Sequence, residues 1–107
     1  MTDKLENTIN QRLSWLKNRD MLRDRILEAQ LLAYNGSMFC ADATLIAHLQ
    51  GLLSTELSEA VLLDINQNPC KIDNLKDFQK LVIEHNQCVM NLYDQEYTKL
   101  KQVRRIG

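Results

Sequence analysis

The most chemically suggestive pair in the chain lies in "HNQC", where His85 and Cys88 stand three residues apart. On a helix that spacing puts both side chains on one face, within reach of a single zinc ion. A closed zinc site needs four ligands, usually delivered as two close pairs. The other candidates, Cys40 and His48, are separated by roughly 12 Å along a helix, too far to share an ion. We therefore assign no metal and no cofactor, and read His85 and Cys88 as members of a core-facing stripe.

Nucleophilic chemistry finds no better footing. A cysteine nucleophile needs a stabilised thiolate, a base and an oxyanion site, and no glycine-rich turn accompanies Cys40, Cys70 or Cys88. Their odd number and irregular spacing suit small apolar residues in a reducing compartment rather than a disulfide framework. Carboxylates pair at Asp20/Asp24, Glu56/Glu59 and Asp94/Glu96. The first pair lies among Arg19, Arg23 and Arg25, as on a solvated and mutually neutralised face. With glycines only at 36, 51 and 107, no phosphate-binding loop can be written. No catalytic residue is assigned, and the expectation is a non-enzymatic protein.

Two clusters point to binding instead. Trp15 and Leu16, followed by Met21 and Leu22, form the expected partner-binding patch, since aromatic and large apolar anchors concentrate interface energy. The basic end "YTKLKQVRRIG" carries Lys99, Lys101, Arg104 and Arg105 behind Tyr93 and Tyr97. Cations could contact phosphates and tyrosines could stack on bases, which makes nucleic acid the alternative partner. The same cations also suit the negative end of a helix. An N-terminal group of Arg12, Lys17, Arg19, Arg23 and Arg25 could join them, though Asp20 and Asp24 dilute it.

The elements that must position these residues read as mostly helical. The 107 residues include only 3 Gly and 1 Pro, which favours long helices over a many-stranded sheet. Residues 3–35 are expected to form a helix with two apolar stripes: Leu5, Ile9, Leu13, Leu16, and then Leu22, Ile26, Ala29, Ala33. "KNRD" at 17–20 interrupts them, so either Asp20 caps a new helix or the buried face rotates. Asn35–Gly36 is read as the stop.

Ser37 is then the expected N-cap of a helix over 37–54, the most apolar stretch of the chain. Its apolar residues cover most of the circumference, as expected of a buried central helix. Asp42, His48 and Gln50 argue against a membrane span, because one central aspartate costs about 2.5–3.5 kcal/mol. Residues 60–72, with "NQNP" between apolar runs, are expected to form a short β-hairpin or loop. Asp73 or Asn74 should cap a last helix near 75–104, with a stripe through Leu75, Phe78, Val82, His85, Val89, Leu92, Glu96 or Tyr97, Leu100 and Val103.

The expected architecture is one helical domain, 1–107: a bundle of two long helices and a buried central helix. Two long striped rods carry more apolar surface than a core of this size covers, so we expect a protein partner and a homo-oligomer, a dimer first. The net charge of −1 gives the whole chain no bias toward nucleic acid. The polar start resembles no targeting segment, and the expected location is cytoplasmic. Assembly factor, adaptor or small chaperone, of a size common among bacterial and bacteriophage accessory proteins, is the functional expectation.

Overall fold

In the computed structural model the backbone is described for residues 2–106 and the side-chain surroundings for residues 6–102. The elements run α1 (Thr2–Ala29), β1 (Leu31–Tyr34), β2 (Ser37–Cys40), α2 (Ala43–Ser54), β3 (Ala60–Leu63), β4 (Pro69–Ile72) and α3 (Leu75–Ile106). The described chain is mostly helical, with two small antiparallel hairpins, β1–β2 and β3–β4. It divides into two compact units, Ala29–Val89 and Met1–Glu28 with Met90–Gly107. No helix is long and apolar enough to cross a membrane among the described residues.

The first hairpin corrects two sequence expectations. The helix expected over 3–35 ends at Ala29, and Leu31–Tyr34 pairs with Ser37–Cys40. Asn35 and Gly36 both take positive φ, 47° and 78°, the two-residue turn that matches strand twist. Gly36 is thus left-handed as anticipated, but it closes a hairpin rather than ending a helix. Around this turn Leu32 pairs with Phe39, and both belong to the core cluster or pack against it. Leu31, Ala33 and Met38 stay exposed. Alternating burial of this kind is strand chemistry, and it outweighs the helical spacing of Ala29 and Ala33.

The helix expected from Ser37 consequently starts at Ala43. Asp42 is its N-cap, extended at φ −105° and ψ 175°, and its side chain accepts from Leu45 N at 2.9 Å. The expectation of a fully covered central helix also fails. Only Leu49 is fully buried on α2, while Leu45, Ile46, Leu52 and Leu53 are half-buried. Thr44, His48 and Gly51 form an exposed line, so α2 lies on the core with one wet side.

The hairpin expected within 60–72 is present, with Ala60–Leu63 paired to Pro69–Ile72. Asp64 organises its loop: the carboxylate Oδ1 accepts from Asn66 N and Asn68 N, each at 2.9 Å. Pro69 opens β4, the strand position at which a missing N–H is best tolerated. Asn74 begins α3 with a reciprocal cap: Asp77 N donates to Asn74 Oδ1 at 3.1 Å, and Asn74 Nδ2 donates to Asp77 Oδ2 at 3.0 Å.

Within Ala29–Val89 the core gathers Phe39, Ala41, Leu49, Leu62, Cys70, Ile72, Leu75, Phe78 and Val82. Phe78 sits at its centre, with ring centroids 4.8 Å from Tyr34 and 5.2 Å from Phe39. Polar bridges tie the elements of this unit together. Asn86 Nδ2 donates to Ala41 O at 2.9 Å, and Ile65 N donates to Met38 O at 2.9 Å. His85 Nε2 lies 2.7 Å from Ala29 O. A carbonyl only accepts, so Nε2 carries the proton.

In the other unit α1 is continuous through "KNRD", and the buried face rotates. Leu22 and Ile26 are buried, and Trp15, Leu16 and Arg19 are half-buried. Trp15, Arg19, Leu22 and Ile26 are 4, 3 and 4 residues apart, one helix face. Arg19 occupies the stripe with its aliphatic stem while its guanidinium lies 5.5 Å from the Trp15 ring centroid. Ile9 and Leu13, expected inside, are 48% and 58% exposed. On α3 the expected stripe holds from Leu75 to Val89, but Leu92 is exposed and Tyr93 takes over the half-buried position. Leu5 and Val103 lie outside the residues whose side chains are described.

Candidate interaction surfaces

The partner-binding residues expected from sequence do come together in the unit containing Trp15. An open groove of about 940 Å³ runs along α1, lined by Trp15 and Leu16 with Leu100 of α3 and a polar border that includes Arg12, Asn18 and Arg19. That volume falls within the range of ordinary ligand clefts. A smaller groove of about 260 Å³ shares Asn18 and Leu100 and adds Met21, Leu22, Arg25, Glu96 and Lys99. The two adjoin through the shared residues. Leu22, however, is only 5% exposed. It forms floor already packed within the fold, whereas Met21 beside it is 55% exposed.

Charge in these grooves has one dominant sign. Arg12, Arg19, Arg25 and Lys99 line them, against the single carboxylate of Glu96. Glu96 Oε1 is 3.4 Å from Lys99 Nζ, and the exposed Asp20 Oδ1 is 3.3 Å from Arg19 Nη2. Exposed pairs of this kind contribute little, about 0–1 kcal/mol. Arg12 and Arg25 form no ion pair among the described residues. The result is an apolar floor beneath a mostly cationic rim.

The expected nucleic-acid contacts are only partly gathered. Lys99 lines the smaller groove, and Lys101 Nζ lies 5.0 Å from the Tyr97 ring centroid. Tyr93 and Tyr97 stack edge to face at 6.3 Å, so each ring is already engaged by the other. Arg104 and Arg105 lie outside the residues whose side chains are described.

A second surface, on the β3–β4 hairpin, was not anticipated. Val61 and Leu63 share one face of β3 and are 62% and 59% exposed, Ile65 in the turn that follows is 45% exposed, and Leu62 between the first two is buried. Across the pair stand Lys71 and Pro69. A half-buried strand normally alternates apolar with polar residues, and here both parities are apolar. "AVLL" contained that signal: an unbroken apolar run on a ribbon of two strands must leave one side wet.

The candidate chemical groups are dispersed. His85 is tied to Ala29, and Cys88 is exposed, which removes it from the expected core stripe because it lies off the line through Val82, Asn86 and Val89. His48 is also exposed. Cys40 Sγ approaches Gln30 Oε1 at 3.8 Å; burial raises its thiol pKa, with the charge and hydrogen bonding of Asp42 adding to the effect. That direction disfavours a reactive thiolate. Among the described residues no group of three or more His, Cys, Asp or Glu is placed to hold a metal ion. No protein-family model, curated protein or solved structure matches the chain.

Proposed function

We propose that this chain is a non-enzymatic interaction protein, of the assembly-factor, adaptor or small-chaperone kind, and that it works by burying the α1 groove against a protein partner. One observation carries the reading: Trp15, Leu16, Met21 and Leu100 line adjoining grooves under a rim of Arg12, Arg19, Arg25 and Lys99. Large apolar anchors in a concave surface supply binding energy, and surrounding charge selects the partner.

A photo-reactive side chain in place of Asn18, the polar residue common to both grooves, tests this in cells that make the chain. Crosslinks to protein that disappear with Met21→Glu support the reading. Crosslinks confined to nucleic acid, or no more crosslinking than from the exposed Gln95, refute it.

A second reading, a nucleic-acid-associated regulator, draws on charge distribution. Residues 1–28 and 90–107 hold ten Lys and Arg against seven Asp and Glu. This reading requires oligonucleotide binding whose affinity falls linearly with the logarithm of salt concentration. Absence of binding at low salt removes it.

A further inference from the structure

We infer that the α1 groove is occupied by the β3–β4 hairpin of a second copy of this chain, a proposal that rests on the groove being a protein-binding site. The two surfaces are complementary in kind. The groove has an apolar floor and four lining cations against one carboxylate. The hairpin offers Val61, Leu63 and Ile65, all exposed. Residues 56–73 around them carry the exposed Glu56, Glu59 and Asp73 against Lys71 alone, while Asp64 is turned into its own loop. Lys71 Nζ is already 3.8 Å from Glu59 Oε2, which leaves the hairpin region acidic.

Charge also decides between the pairings available to identical chains. Groove against groove would bring Arg12 and Arg25 toward their own copies, and hairpin against hairpin would crowd the carboxylates of 56–73. Like charges facing across an interface disfavour both. Groove against hairpin puts opposite charges together and covers both apolar surfaces in one contact. Such a contact joins two different patches, so each copy retains one donor and one acceptor surface.

That asymmetry supplies the test. Wild-type chain is compared by sedimentation velocity across the micromolar range with a groove variant, Arg12→Glu/Arg25→Glu, and a hairpin variant, Val61→Lys/Leu63→Lys. All four positions are exposed, and circular dichroism checks that each variant keeps its helices. The wild type should self-associate, less strongly as salt rises. Each variant alone should associate at least about tenfold more weakly, or 1.4 kcal/mol.

An equimolar mixture of the two variants should regain association, because the intact groove of one meets the intact hairpin of the other. Trp15, the only tryptophan, reads the same event: its emission should shift to the blue on mixing. A wild type that stays monomeric overturns the proposal, as does a mixture no more associated than its components. A Trp15 response to an oligonucleotide but not to the chain itself also overturns it. If the wild type is monomeric while crosslinks from position 18 reach another protein, this inference falls and the functional reading survives.

Discussion

Asp64 offers the sharpest test of how the second hairpin is held in shape. It is 6% exposed, and one of its oxygens accepts both Asn66 N and Asn68 N at 2.9 Å. Hydrogen bonds to charged groups contribute about 1.5–3 kcal/mol each. Asn66 and Asn68 are exposed, so water can recover part of the loss in a truncated variant. Asp64→Ala should therefore cost about 2–3 kcal/mol, below the sum of two full bonds. For a chain of this size that corresponds to a fall in Tm of roughly 8–12 °C.

Asp64→Asn keeps an oxygen at the same position and forfeits only the charge, so its cost should be about 1 kcal/mol. Urea unfolding followed by far-UV circular dichroism gives both values, and amide exchange at Asn66 and Asn68 reports the loop itself. Equal losses in the two variants would refute the geometric argument, since the acceptor's position would then be irrelevant. A loss below about 0.5 kcal/mol for Asp64→Ala would place it among ordinary surface changes and remove the loop's organising role.

The glycines should respond in opposite directions. Gly36→Ala meets no atom within 4 Å, but φ of +78° makes it costly by about 1 kcal/mol; Gly51→Ala, mid-helix with open space around it, should add about 0.5–1 kcal/mol. Thermal unfolding of the two variants separates them. Thiol labelling should proceed in the order Cys88, Cys40, Cys70, following exposure. At a fixed mildly alkaline pH, Asp42→Asn should speed labelling of Cys40, since removing the adjacent charge lowers a pKa that burial and Asp42 together raise. An unchanged rate would rule out the carboxylate as a cause.

Local signals determined a good deal. The scarcity of Gly and Pro indicated the long helices, Asp73 or Asn74 marked the start of α3, where the structure selects Asn74, and the spacing of Leu75, Phe78 and Val82 marked its buried face. Trp15, Leu16 and Met21 stood out as large apolar residues beside a break in the stripe, and they line the adjoining grooves of α1. Short-range pattern misled where two structures share a spacing. Leu31–Cys40 satisfies helical and strand periodicity alike, and Asn35–Gly36 can end a helix or turn a hairpin. Only the long-range placement of Phe39 beside Phe78 breaks that tie, because burying the aromatic pair requires the strand.

Arg19 marks the same limit on α1. Its charge reads as an interruption, while tertiary packing uses its stem as part of the buried face and its guanidinium as the roof of Trp15. The exposure of Val61, Leu63 and Ile65 was likewise undecidable from the run itself, for apolar residues on both sides of a strand are silent about which side is covered. Residue types and spacing establish which side chains can seek burial. Which of them succeed depends on how few surfaces a fold of this size has to offer, and only the packed structure decides that.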